Sequence, residues 1–153
     1  MSGFLLDTNI PSETVKLRPD TRVTAWINAQ SNPTLFISAI SIGELRRGFV
    51  TLPPSEAARR NRLEQWLERD VLLWFNGRIL PVTKEIAERW GVIDGTCQLR
   101  GTPANTADGL IAATALEHGL TVATRNVKDS ARFAPFGVPI FNPWDQGPPS
   151  GRP

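Results

Sequence analysis

Phe4-Leu5-Leu6-Asp7-Thr8-Asn9 reads as a short buried β-strand that ends on an acid and runs into a turn. Working outward, further short apolar runs appear at Leu35-Phe36-Ile37, Ile79-Leu80-Pro81-Val82, Leu120 to Thr124 and Val138 to Phe141. Helical periodicity fills the intervals between them. Val23, Trp26 and Ile27 mark a helix within Thr21 to Gln30, and Ile42, Leu45 and Phe49 mark another, with Ser38 or Ser41 as its cap. Pro53-Pro54 ends that helix, and Ser55 opens the longest helical stretch, carried by Leu63, Trp66, Leu67, Val71, Trp74 and Phe75. Gly77 breaks it. Thr83 is placed to cap a helix through Ile86, Ala87, Trp90 and Ile93, and a small-residue helix spans roughly 104 to 118 before Gly119. A short helix is expected over Val127 to Phe133. Strands alternating with helices predict an α/β sandwich around a mostly parallel sheet. Residues 1–145 make one domain, and from Gln146 a Gly/Pro/Ser-rich run is expected to be a flexible tail.

Composition narrows the chemistry. The 153 residues hold one Cys (Cys97), one His (His118) and no Tyr. One Cys excludes an internal disulfide and any multi-thiolate zinc or iron–sulfur site, and one His excludes a His-rich metal centre. A nucleophile–His relay would have to pass through His118, which stands in the last turn of its helix, a better place for a cation than for catalysis. Hydrolytic chemistry must therefore rest on the 15 carboxylates. Met1 to Leu6 lacks a basic secretory n-region, and no apolar run approaches the roughly 18 residues that cross a bilayer. No membrane association is expected, and the lone thiol points to the cytoplasm. The net charge of +2 hints only weakly at a polyanionic partner.

Most of the acids have ordinary surroundings: Glu56, Glu64, Glu68, Glu85, Glu88 and Glu117 fall on polar helix faces. Three do not. Asp7 ends the first strand, where ligand sites gather in open parallel sheets, although it could instead cap the segment after Ile10. Glu44 is the lone acid in the small and apolar stretch Ser38 to Leu45, where a helix dipole alone could favour it. Asp108 shares a face with Ile111, Ala112 and Ala115, yet stands three residues after Asn105, as a capping-box acid would. All three belong to elements that start at one sheet edge. Carboxylates gathered there raise one another's pKa unless a cation joins them, and Mg²⁺ or Mn²⁺ is the hard ion that oxygen ligands select. The pattern predicts metal-dependent chemistry on a phosphodiester.

Four segments in order, Phe4 to Asn9, Ser41-x-x-Glu44-Leu45-x-x-Gly48, Ala107-Asp108-x-x-Ile111-Ala112-Ala113-Thr114-Ala115 and Val122-x-Thr124-Arg125-Asn126-x-x-Asp129, resemble those of the PIN-domain ribonucleases. The likeness is to the VapC-type toxins of toxin–antitoxin modules, and Phe141-Asn142-Pro143-Trp144 looks like the FitB-like branch. The resemblance implies a three-layer α/β/α domain around a parallel sheet of four or five strands. It implies a Mg²⁺- or Mn²⁺-dependent endoribonuclease, acting often on tRNA or rRNA, with Asp7, Glu44 and Asp108 as metal-site acids. Thr8, Asn9 and Thr124 then fall on supporting polar positions. The fourth acid has two candidate places, one held here by Asn126 and the other by Asp129. The resemblance further implies a cognate antitoxin that plugs the acidic pocket, operator DNA reached only through that antitoxin, and a homodimer.

Arg46 and Arg47, close to Glu44, are the best candidates among the arginines for contact with RNA or antitoxin. Other chemistries fit less well. An aspartyl-phosphate enzyme wants a second acid two residues after the first, where Asn9 stands. Gly43-x-x-x-x-Gly48 lacks the Lys-Ser/Thr of a P-loop, because Phe49-Val50 follows. A non-catalytic partner of a DNA-binding antitoxin is the remaining rival.

Overall fold

The computed structural model describes residues 2–145, so the tail expected from Gln146 lies outside the described residues. Five strands, β1 (Phe4–Leu6), β2 (Leu35–Ser38), β3 (Ile79–Leu80), β4 (Thr121–Ala123) and β5 (Ile140–Phe141), form one parallel sheet in the order β3-β2-β1-β4-β5. The helices are α1 (Asn9–Thr14), α2 (Thr21–Ala29), α3 (Ala39–Val50), α4 (Ala57–Gln65), α5 (Leu72–Trp74), α6 (Lys84–Leu99), α7 (Thr106–His118) and α8 (Val127–Ser130). Leu6 aligns with Ile37 on one side and Ala123 on the other, which makes β1 the central strand. The order reverses between β1 and β4. In a doubly wound sheet the crevice outside the carboxyl ends of such a strand pair is where ligands bind.

Alternate side chains of the strands enter opposite layers. Leu6, Leu35 and Ile37 join Ile10, Val23, Trp26, Leu45, Phe49, Leu67, Val71 and Phe75 on one face. Leu5, Phe36 and Val122 join Ile86, Ile93, Cys97, Ile111, Ala112 and Leu120 on the other. The result is the expected α/β/α sandwich. Leu5 and Leu6 have no exposed surface, and burying each side chain contributes about 1.5–3 kcal/mol.

Several boundaries follow the local signals. Ser38, not Ser41, caps α3 by accepting the Ile40 N–H at 3.0 Å, and Thr83 caps α6 by accepting the Ile86 N–H at 3.2 Å. Gly119 closes α7 at φ 64°, a conformation costly for other residues. The long helical stretch is less regular than its periodicity suggests. A 3₁₀ turn at Pro54–Glu56 precedes α4, and Trp66–Val71 winds as a π-helix before α5. The tryptophans at 66, 74 and 90 are partly buried against the core, as their spacing predicts.

Candidate active site

Asp7 continues the β1 ladder one residue past the strand, its N–H donating to Ala123 O at 2.9 Å. Its carboxylate is then held from both sides. Oδ1 accepts the Thr8 N–H at 2.7 Å, while Oδ2 accepts the Thr124 hydroxyl at 2.7 Å and the Asn9 amide at 3.3 Å. The capping role open to Asp7 falls to its backbone instead, since Asp7 O accepts the Ile10 N–H at 2.9 Å. Thr124 is fully buried just past β4, and its oxygen is saturated. It donates to Asp7 and accepts the Asn126 N–H at 3.0 Å and the Asn9 amide at 3.3 Å. Asn9 Oδ1 accepts the Arg125 N–H at 3.4 Å, so one side chain ties the start of α1 to the loop after β4.

Glu44 enters from α3. The first turn of α3 carries no acid, so Glu44 stands beyond the reach of the simple dipole explanation. Its Oε1 accepts the Thr8 hydroxyl at 2.7 Å, which links it through Thr8 to Asp7. Three residues earlier on the same helix, Ser41 is fully buried and its hydroxyl has no partner among the described residues.

Asp108 comes from the first turn of α7 and is held quite differently. Asn105 caps the helix, its Oδ1 accepting the N–H groups of Ala107 at 2.8 Å and Asp108 at 3.4 Å. The reciprocal bond of a capping box is not made, and the carboxylate of Asp108 has no hydrogen bond among the described residues. The next residue, Gly109, lets α6 approach: a Cβ there would stand 3.0 Å from the Trp90 ring. Asp108 lines a narrow cleft with Asp7, Asn126 and Ser130. Burial first, and then the charges of Asp7, Glu44 and Asp129, push its pKa up to about 6, against a smaller opposing pull from Arg132.

The two candidates for the fourth position separate. Asn126 lines the cleft with Asp7 and Asp108. Asp129 is exposed on α8 and faces Arg132 at 3.7 Å, contributing to the site through its charge. Of the arginines singled out, Arg46 pairs with Glu68 at 3.1 Å and Arg47 is exposed. Beside Glu44 and Thr8 opens a groove of about 830 Å³ with an apolar lining that includes Leu45, Phe49, Leu63 and Trp66, and with Lys16, Arg59 and Arg62 on its walls. Neither this groove nor Ser130 carries a signal in the sequence, because each depends on elements meeting across the fold. The connection after α1 is ordered by Glu13, a nearly buried acid whose pKa is lowered chiefly by its hydrogen bond from Lys16.

Among the described residues no group of three or more His, Cys, Asp or Glu side chains is placed to hold a metal ion. The donors that line the site are nonetheless all oxygens or neutral amides, and Asp108 lacks any positive or hydrogen-bonding partner strong enough to keep its pKa at the ordinary 3.8. That donor set fits a hard divalent cation, which keeps several waters and takes only one or two carboxylates.

The PIN domain family model matches residues 4–133. The chain belongs to the PIN-domain family. Within that family it is 40% identical over 142 residues to the VapC ribonuclease Y4jK of Sinorhizobium fredii, spanning 93% of this chain and 98% of the relative. It is equally 40% identical over 141 residues to toxin FitB of Neisseria gonorrhoeae, spanning 92% and 98%. The crystal structure of FitAcB from Neisseria gonorrhoeae superposes with a TM-score of 0.82 at 39% identity, covering 93% of this chain and 99% of that one. A structure of FitAB bound to an IR36 DNA fragment gives the same TM-score at 35% identity, with 95% and 98% covered. This PIN domain thus stands with the VapC and FitB toxins. No helix among its described residues is long and apolar enough to cross a membrane.

Proposed function

We propose that this PIN domain is a Mg²⁺- or Mn²⁺-dependent endoribonuclease, cutting tRNA or rRNA, and the toxin of a toxin–antitoxin pair. One observation carries the proposal: a hydrogen-bonded chain from Glu44 through Thr8 and Asp7 to Thr124 faces Asp108, a carboxylate that accepts no hydrogen bond among the described residues and has a pKa of about 6. Asp7 and Asp108 would hold the cation, with Glu44 reaching it through water. When bound, the ion supplies Lewis acidity toward a phosphodiester and makes a neighbouring water acidic near neutral pH. Thr124 and Asn9 fix the Asp7 carboxylate, so that its lone pairs point the same way before and after the ion arrives. Thr8 fixes one oxygen of Glu44 and leaves Oε2 to orient the attacking water and receive its proton. Asp129 adds negative charge from the rim, and Asn126 offers a neutral carbonyl beside it.

The groove beside Glu44 suits a segment of the antitoxin, because an amphipathic stretch could lay its apolar side on Phe49 and Trp66 between cationic walls. Arg47 lies exposed on the same helix as Glu44 and is available to RNA or antitoxin there, whereas Arg46 would first have to leave Glu68. Operator DNA would be reached through the antitoxin, and the toxin would work as a homodimer. The test is to express the chain alone and as Asp7→Asn, and to assay total-RNA cleavage and growth arrest with Mg²⁺ or Mn²⁺. Cleavage and arrest by the wild type but not the variant are expected; equal behaviour with every metal and RNA removes the nuclease reading.

One observation favours a second reading. A neighbour at 35% identity was solved with its DNA fragment, and Asn126 leaves this site one charge short of a four-acid cluster. On that reading the chain serves an autoregulatory DNA complex and cleaves RNA weakly or not at all. Operator binding with antitoxin that persists in Glu44→Gln, with no RNA cleavage by the wild type, would support it.

A further inference from the structure

The acids at the crevice repel the very phosphates that an RNA must bring to them, so a substrate has to be gripped by cations nearby. Most arginines are already engaged. Arg22 chelates Asp20, Arg46 meets Glu68, Arg60 caps the carbonyls of Phe49 and Leu52, and Arg132 is tied to Pro103 O and Asp129 O. Arg125 differs. It stands between Thr124 and Asn126, with its backbone N–H held by Asn9 Oδ1 at 3.4 Å. Its guanidinium carbon lies 5.4 Å from the centre of the Trp144 ring. Among the described residues the guanidinium meets no carboxylate and donates no hydrogen bond, although the side chain is exposed at the site's edge.

The platform under it is built. Trp144 is 5% exposed, is packed into the apolar layer that holds Trp26 and Ile10, and its backbone N–H donates to Asn142 Oδ1 at 2.9 Å. A guanidinium lying on an aromatic face loses much of its rotamer freedom while its in-plane N–H groups stay unspent, the posture suited to bidentate contact with a phosphate.

We infer that Arg125, laid on Trp144 by the Phe141-Asn142-Pro143-Trp144 turn, grips a phosphate of the RNA strand flanking the one that is cut. The inference rests on the ribonuclease reading. The residue binds substrate and takes no part in proton transfer. It also gives a use to the Asn142–Trp144 turn, which packs beyond the last strand.

The test uses the full chain in EDTA, where cleavage is suppressed, and a labelled single-stranded RNA oligonucleotide whose binding is followed by anisotropy across a salt series. Arg125→Met keeps an aliphatic stem over Trp144 and loses the charge; Arg125→Lys keeps the charge and loses the fork. Arg125→Met should bind about tenfold more weakly at low salt, as loss of a charge-assisted pair implies. Its slope of log K against log salt should fall by about 0.7, the share of one single-strand phosphate. Arg125→Lys should keep the wild-type slope with a smaller loss of affinity. If Arg125→Met binds with wild-type affinity and slope, the assignment is overturned while the nuclease reading stands, and a drop in melting temperature alone would make Arg125 a cover for Trp144. If it binds RNA normally but loses affinity for antitoxin, Arg125 is a protein contact and the inference is equally overturned. Wild-type protein that binds no RNA overturns both.

Discussion

Asp7 and Asp108 face one cleft, one from the end of the central strand and the other from a flanking helix, yet the protein treats them in opposite ways. Asp7, at the carboxyl end of β1, accepts hydrogen bonds from Thr8, Asn9 and Thr124. Asp108, on the first turn of α7, accepts none among the described residues and sits at a pKa of about 6. One carboxylate is anchored by the fold; the other is held in place by α7 and left electrostatically unmet. The difference teaches a division of labour. A rigid anchor fixes where a cation sits, and an unsatisfied acid supplies the drive to take one up.

Replacing each acid by its amide should break the two halves differently. Asp7→Asn puts an amide where only acceptors fit, because the lone pairs of Thr124 are already taken by the Asn126 N–H and Asn9. Cleavage should fall by more than about 100-fold, beyond the usual cost of losing a partner one shell further out. Metal-free stability should fall too, by about 1–3 kcal/mol for the stranded donors. Single-turnover cleavage and denaturant melts in EDTA measure the two effects. Thr124→Val tests the anchor without touching the charge. It should cost roughly 10–100-fold in cleavage or metal affinity, seen as a rightward shift of the Mg²⁺ titration.

Asp108→Asn should do the reverse of Asp7→Asn to stability. The folded protein holds the Asp108 proton up to about pH 6, whereas the unfolded chain releases it near 3.8. Between those values the native state binds more protons, so the contribution of Asp108 to stability is full below about pH 4 and is lost as pH rises through 6. Asp108→Asn removes that loss. In EDTA it should melt above wild type at pH 7, by on the order of 1 kcal/mol after solvent screening, with the gap closing toward pH 4. Glu13 and Asp20 have the opposite sign, since Lys16 and Arg22 hold their pKa values down, Asp20 to about 2. Both proteins share them, so they cancel in the comparison. Saturating Mg²⁺ should stabilise wild type and leave Asp108→Asn nearly unmoved, which a pair of melts with and without metal checks.

Much of this was legible in the chain, and the unread parts have a common cause. The strands were visible as apolar runs, and Ser38, Thr83, Asn105 and Gly119 mark helix ends by local chemistry that needs no tertiary context. The π-helix at Trp66–Val71 was missed, though Leu63, Leu67, Val71 and Phe75 recur every fourth residue. On an α-helix that spacing drifts by about 40° each step, and a wider turn restores the register. At the site, three acids stood out because each looked misplaced on its own element. Their partners Thr8, Asn9 and Thr124 were reached only through the family resemblance, because nothing local marks which acid each one meets. Thr8 meets Glu44 across 36 residues and Thr124 meets Asp7 across 117, contacts created by strand order alone.

The smallest effect concerns the fourth position, where the comparison can be sharpened. Asn126 lines the cleft with both acids, and Asp129 stands outside it, 66% exposed and facing Arg132. If negative charge is wanted inside the cleft, Asn126→Asp should tighten Mn²⁺ binding severalfold, because another carboxylate then shares the ion. The same substitution should raise the apparent pKa of Asp108 further in the metal-free protein, since like charges oppose its ionisation. Asp129→Asn should change metal affinity by less, because an exposed charge acts through solvent and is screened within about 8–10 Å. Calorimetric Mn²⁺ titrations of the two variants decide between them. A larger loss from Asp129→Asn than gain from Asn126→Asp would mean that α8 carries the missing ligand and that the loop after β4 moves to bring it in.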